Sequence, residues 1–257
     1  MSHTTIDKKD PVVKMENITK HFGGVYAVKN VNFELYKGEV LALVGDNGAG
    51  KSTLIKILSG AYIADEGEIH IRGKKVNMES PTDARKFGIE TIYQDLALMD
   101  NLDIPANIFM GREIRKKNIL GSLGLLHLRS MKKKSIELLN NFNIKIDNVN
   151  TVVKNLSGGQ RQMVSISRAI YFNAQVIIMD EPTAALGVAE TQKVYDFIER
   201  LKKNDISVII ISHNINEVFN LADRFMVLKT GNLVGIKRKE ETSIDEIVTM
   251  IISGQCN

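Results

Sequence analysis

Residues 45–53 read Gly-Asp-Asn-Gly-Ala-Gly-Lys-Ser-Thr, which fits the pattern G-x-x-x-x-G-K-S. No other stretch restricts the fold so tightly. A loop of this kind wraps a polyphosphate with backbone N–H groups, so it needs glycines where the chain turns and approaches the ligand. It works only between a strand and a helix, and both flanks comply. Val40-Leu-Ala-Leu-Val44 is a short continuous apolar run, the pattern of a strand buried on both faces of a parallel sheet. After the loop, Leu54, Ile57 and Leu58 fall at helical spacing, and Gly60 offers a stop. The helix start then turns its partial positive charge toward the phosphates. The expected cradle is Gly45, Asp46, Asn47, Gly48, Ala49, Gly50, Lys51, Ser52 and Thr53. Lys51 reaches the β- and γ-phosphates, and the Ser52 hydroxyl holds Mg²⁺.

Two further strand ends supply chemistry. Val176-Ile-Ile-Met179 is a buried strand, and Asp180 and Glu181 stand at its C-terminal end, where ligands bind in open parallel α/β sheets. After a phosphate loop, this pair reads as a Mg²⁺ ligand and a water-activating base. Ser207-Val-Ile-Ile-Ile-Ser212 delivers His213 to the same edge, in reach of a γ-phosphate. A second anion site is read at Leu156-Ser-Gly-Gly-Gln160. There Ser157 caps a helix, and Gly158 and Gly159 put no bulky side chain before its positive end. Phe22 and Tyr26 are both able to stack on a purine, although by spacing alone each reads first as a packing residue.

The rest of the chain frames these motifs. With 257 residues and 44% apolar content it has enough material for one large domain with a subdomain. No apolar run reaches the length that spans a bilayer. Residues 1–11 are polar and are expected to be a frayed lead, with the folded domain over 12–257. The single cysteine, Cys256, forms no internal disulfide and sits too near the C-terminus for a prenylation box, which fits a cytosolic protein. The net charge of +4 describes a Lys-rich solvated surface rather than a nucleic-acid footprint. Short strand-like runs at Val12–Met15, Tyr26–Val28 and Val31–Leu35, the last of them alternating, and an alternating run at Gly67–Gly73 predict an antiparallel sheet beside the nucleotide core. Residues of about 95–170 predict a helical subdomain, including an amphipathic helix over Met131–Phe142 with Ile136, Leu138, Leu139 and Phe142 on one side. The fold class is therefore α/β: a P-loop NTPase core with an antiparallel β subdomain and an α-helical one.

The motifs in this order resemble the nucleotide-binding subunit of ATP-binding-cassette (ABC) transporters: GDNGAGKST at 45–53, Gln94, LSGGQ at 156–160, VIIMDEP at 176–182, and His213. The resemblance spans about residues 12–240 and implies ATP and Mg²⁺ as cofactors. It favours Phe22 over Tyr26 against adenine, places Gln94 with Ser52 and Asp180 around Mg²⁺, and makes Glu181, His213 and Gln94 catalytic. It implies that Ser157, Gly158, Gly159 and Gln160 close over the ATP of a second subunit, so that a homodimer forms around nucleotide. Ser80-Pro-Thr-Asp-Ala-Arg, Gly88-Ile-Glu-Thr-Ile-Tyr-Gln-Asp-Leu-Ala-Leu98 and Asn107-Ile-Phe-Met-Gly-Arg-Glu113 are similar to the ATPases of monosaccharide importers, in a single-cassette branch. That branch implies integral membrane permease subunits, a sugar-binding protein acting through them, and a place on the inner face of the cell membrane. The chain departs from most cassettes at Gly187, where an Asp usually contacts the partner subunit. A groove around Gln94–Glu113 would receive a permease helix, with Leu96, Leu98, Met99 and Phe109 as either the docking surface or subdomain core. The alternatives are a soluble cassette ATPase acting on nucleic acid, or a regulatory module outside transport. Sustained heptad arms, which the former would need, are absent.

Overall fold

The computed structural model describes residues 10–116, 125–184 and 186–256. Most of the expected N-terminal lead, residues 1–9, lies outside the described residues, as do residues 117–124, 185 and 257. The chain divides into two units: residues 1–91, 175–181 and 201–257, and residues 92–174 and 182–200. Among the described residues the strands run in chain order as β1 (Val13–Phe22), β2 (Val25–Leu35), β3 (Val40–Val44), β4 (Glu66–Ile71), β5 (Lys74–Val76), β6 (Ile89–Ile92), β7 (Val176–Asp180), β8 (Ser207–Ile211), β9 (Arg224–Lys229) and β10 (Asn232–Arg238). The α-helices are α1 (Lys51–Leu58), α2 (Pro81–Lys86), α3 (Ile104–Ile108), α4 (Leu128–Asn141), α5 (Gly158–Tyr171), α6 (Val188–Lys203), α7 (Ile215–Phe219) and α8 (Ile244–Ser253).

In the first unit, a central sheet has the order β10-β9-β3-β8-β7-β6. β3 pairs in parallel with both β8 and β9, and β7 pairs in parallel with β8. These strands are continuous apolar runs because both their faces are covered. Alternate residues Leu41, Leu43, Ile178, Ile209, Ile211, Met226 and Leu228 join one cluster with Leu54, Ile57 and Leu58 of α1 and with Val13, Met15, Ile18 and Phe33 of β1 and β2. The second sheet, β2-β1-β4-β5, is antiparallel. The two short runs expected at Tyr26–Val28 and Val31–Leu35 are one long strand, β2. It survives the polar residues between them because Asn30 takes a positive φ of 49° and the pairing with β1 shifts register there.

The edge of the central sheet away from the site carries a buried charge network. Glu39, 1% exposed, accepts from the Tyr36 N–H at 2.7 Å and from Arg224 Nη1 at 2.9 Å. Burial pushes its carboxyl above the usual range, and Arg224 partly offsets that push.

In the second unit, α4 buries Met131, Ser135 and Leu139, an i, i+4 stripe, and its C-cap Phe142 lies on Phe197 with ring centroids 5.5 Å apart. The face expected from sequence included Ile136, which is instead 39% exposed. A buried serine takes its place on that face, and serine carries no hydropathy signal. Phe109 is fully buried and packs against Tyr171, with ring centroids 4.3 Å apart and planes tilted by 58°, so of its two open readings it takes the core one; Met99 is 48% exposed. Asn107, also fully buried, organises the loop before it. Its Oδ1 accepts from the Met99 N–H at 2.7 Å, and its Nδ2 donates to the carbonyls of Met99, Leu102 and Asp103 at 3.1, 3.3 and 3.0 Å.

Candidate functional site

The phosphate loop joins β3 to α1, and its shape is enforced by backbone crowding. Gly45 has a φ of 148°, and a Cβ there would stand 2.2 Å from the Leu228 carbonyl oxygen. Gly50, the N-cap of α1 with a φ of 100°, would bring one within 2.4 Å of the Ala27 carbonyl oxygen. The Gly231 N–H donates to the Ala49 carbonyl at 3.0 Å, tying the β9–β10 turn to the loop. Lys51 is 8% exposed, and its Nζ donates to the loop carbonyls of Gly45 at 2.6 Å and Asp46 at 2.9 Å. Those bonds hold the ammonium in the ring of the loop. Asp46, Asn47, Gly48 and Ser52 face solvent, Thr53 is half-buried and Ala49 is buried.

β3, β8 and β7 are neighbours, so their C-terminal ends lie side by side. That topology gathers the phosphate loop, His213 and the Asp180–Glu181 pair on one sheet edge. Asp180 closes β7 in register with Ile211 of β8. Glu181 follows in the left-handed region, φ 48°, with its N–H donating to the Ile211 carbonyl at 3.0 Å. A non-glycine residue there costs on the order of 1 kcal/mol or more, and such strain gathers at functional sites. The turn aims the side chain at His213, whose Nδ1 lies 2.7 Å from Glu181 Oε1. The imidazole is exposed and the carboxylate half-buried.

The charges here are mutually dependent. Burial lowers the Lys51 pKa, while Glu181, Asp46 and Asp180 pull it back up. Asp180 is raised, first by burial and then by the neighbouring Glu181 charge, with Lys51 and Lys56 opposing. Both carboxylates thus stand where a cation would relieve their repulsion.

The β1–β2 hairpin projects Phe22 and Tyr26, 49% and 52% exposed. Tyr62 meets Phe22 edge-to-face at 5.5 Å, and Lys20 Nζ lies 5.6 Å from the Phe22 ring centre. Tyr26 has Lys29 Nζ at 5.4 Å from its ring centre. Neither ring is a core residue.

Gln94 and residues 156–160 belong to the second unit. Gln94 follows β6 and is exposed. Ser157 caps α5 through a full capping box: the Gln160 N–H donates to Ser157 Oγ at 3.3 Å, and the Ser157 N–H to Gln160 Oε1 at 3.0 Å. The two glycines leave less open space than the sequence implies. A Cβ at Gly158 would be 2.8 Å from Leu186 Cδ2 and 3.6 Å from Glu190 Oε2, and one at Gly159 would be 3.2 Å from Glu190 Cβ. Sequence reasoning misses Glu190, which lies in an ordinary helical stretch and has no local pattern that would mark it.

Comparison with known proteins gives one consistent result. Residues 28–184 match the family described as ABC transporter. The chain is 48% identical over 242 residues to the xylose/arabinose import ATP-binding protein XylG of Sulfolobus acidocaldarius, covering 94% of both. It is 44% identical over 245 residues to the fructose import ATP-binding protein FrcA of Rhizobium meliloti, again 94% of both. Against the ribose import ATP-binding protein RbsA of Caldanaerobacter subterraneus it is 42% identical over 95% of its own length but 48% of the relative's, so it spans about half of that protein. Among solved structures it is similar to the ADP conformation of MJ1267, an ATP-binding cassette of an ABC transporter, with a TM-score of 0.78 at 26% identity over 95% of this chain and 96% of that one. A dimeric post-hydrolysis cassette bound to ADP and Pi, MJ0796, gives a TM-score of 0.72 at 27% identity over 88% and 98%.

Proposed function

The chain belongs to the ABC transporter family as an ATP-binding subunit, and on that premise we propose that its ATP hydrolysis drives import of a simple sugar through partner membrane subunits. The observation that carries the reading is the gathering of Lys51, Asp180, Glu181 and His213 on the adjoining ends of β3, β7 and β8. The ATP phosphates lie in the loop of residues 45–53, with Lys51 and the start of α1 supplying positive charge. Phe22 stacks on adenine. Glu181 orients the attacking water, and His213 both fixes the Glu181 carboxylate and reaches the γ-phosphate. Little covalent chemistry is asked of the protein; positioning and charge complementarity supply most of the rate.

The residues fit Mg²⁺. Ser52 is exposed, and Asp180 is a carboxylate whose proton affinity is raised by burial and then by the adjoining Glu181 charge, which a cation would offset. Among the described residues no group of three or more His, Cys, Asp or Glu could hold a metal, and Mg²⁺ asks for no such cage, because it takes one or two protein ligands and completes its shell with phosphate and water. When bound, Mg²⁺ neutralises charge on the β- and γ-phosphates.

Ser157, Gly158, Gly159 and Gln160 close over the triphosphate of a second copy, so nucleotide holds a homodimer together and hydrolysis releases it. Among the described residues no helix is long and apolar enough to cross a membrane. The proposal places the sugar path in permease subunits, fed by a sugar-binding protein, with this chain on the cytoplasmic side.

The test is Glu181→Gln with saturating Mg-ATP, followed by light scattering. The expected result is an ATP-dependent dimer that persists because hydrolysis has stopped. A monomer at all nucleotide concentrations defeats the clamp, and sugar uptake by vesicles containing the neighbouring permease tests the transport assignment separately.

A further inference from the structure

The start of α6 and the start of α5 share one carboxylate. Gly187 opens α6, accepting from the Glu190 and Thr191 N–H groups at 3.0 and 2.9 Å. Glu190 is therefore the third residue into that helix, the position from which an acidic side chain reaches back to a helix start. Its side chain also lies against the Gly158–Gly159 turn. One carboxylate oxygen would be 3.6 Å from a Cβ on Gly158, and its own Cβ would be 3.2 Å from one on Gly159. Hydrogen bonding from the Ser157 hydroxyl holds the Glu190 carboxyl below the usual range, with the Gly159 and Gly187 amides adding to it against a burial penalty.

The donors gathered on Glu190 are the Ser157 hydroxyl and the Gly159 N–H. In the nucleotide clamp of the proposed function, these same donors meet the triphosphate bound to a second copy, and the inference rests on that clamp. A carboxylate and a phosphate oxygen ask for the same kind of partner, and two anions repel at contact distance. We propose that Glu190 is a built-in counter-ligand of the Ser157–Gly159 turn, occupying its donors in the nucleotide-free chain so that closure over ATP must displace it. Glu190 is a positioning residue and takes no part in the chemistry. It gives the turn a threshold: the helix start is satisfied when alone, so only a ligand carrying more charge than one carboxylate opens it.

The experiment places Glu190→Gln in the Glu181→Gln background and follows dimer formation by light scattering during a Mg-ATP titration. The midpoint is expected to fall roughly tenfold, the worth of one charge-assisted hydrogen bond. Affinity of the monomer for a fluorescent ATP analogue is expected to stay the same, because Glu190 is remote in sequence from the phosphate loop and belongs to the other unit. Glu190→Asp keeps the charge, withdraws it by one methylene, and is expected to fall between. A capping role alone would lower the melting temperature and leave the midpoint still. A midpoint that is unchanged or raised, with the Glu181→Gln dimer intact, overturns the counter-ligand and spares the clamp. Loss of the ATP-dependent dimer in Glu181→Gln itself overturns both.

Discussion

The loop at 45–53 and the turn at 157–160 are both glycine-rich helix starts suited to an anion, yet they are built on different principles. In the first, the glycines answer to backbone: the Leu228 and Ala27 carbonyls stand where a Cβ would go, and φ is far from the range of other residues. Such atoms do not move without moving strands β9 and β2. In the second, Gly158 answers to side-chain ends, Leu186 Cδ2 and Glu190 Oε2, which rotate, while Gly159 lies against Glu190 Cβ, which is fixed to α6. The first site is a fixed mould whose charged residue is already folded into it. The second is capped by ordinary side-chain bonds and can be re-lined. In the proposed clamp the first would define the ligand and the second would respond to it.

The largest expected effect joins the two jaws. Glu181→Gln should keep ATP binding while slowing phosphate release roughly a hundredfold or more; a turnover within a few-fold of the parent would remove the base from the mould. Lys51→Ala should weaken nucleotide affinity by about tenfold or more in a fluorescent-ATP titration, given the worth of a hydrogen bond to a charged group. Unchanged affinity would mean that the loop backbone binds alone. The sharpest test of the contrast is a pair of substitutions. Gly45→Ala should cost on the order of 2–3 kcal/mol and several degrees of melting temperature. Gly158→Ala should cost about 1 kcal/mol or less, because Leu186 can turn aside. Equal losses would erase the distinction.

The smallest effect is a dependence on pH. Asp180 has a raised pKa in the folded chain, so between the ordinary aspartate value and that raised value the folded state binds more protons than the unfolded one. Stability should therefore fall as pH climbs through that window. Asp180→Asn should flatten that fall in the nucleotide-free protein, seen as melting curves that no longer diverge there.

The strands that deliver chemistry are legible because each is a continuous apolar run that stops abruptly at a glycine or a polar residue: Val44 before Gly45, Met179 before Asp180, Ile211 before Ser212. The hydrophobic pattern and the chemistry sit in the same few letters. The capping box at Ser157 and Gln160 was half legible: the cap is local, but the return bond appears only once the helix exists. What stayed hidden depends on residues far apart in sequence. Nothing near Asn107 says that it closes the loop from Met99 to Asp103, and nothing near Glu190 points to residues 157–159. The strand β10 was unforeseen because most of its residues are half-exposed and its pattern is weak. Buried polar groups are set by tertiary partners, so a pattern of hydropathy passes over them.

The left-handed backbone at Glu181 affects how the enzyme should be disabled. Glutamine keeps the torsion and removes only the charge, whereas glycine removes the charge and also lets a stretched spring uncoil. A glycine knock-out at this position would gain thermal stability while losing turnover, and would be mistaken for a trade between rigidity and catalysis. Melting both variants side by side would instead weigh the spring itself.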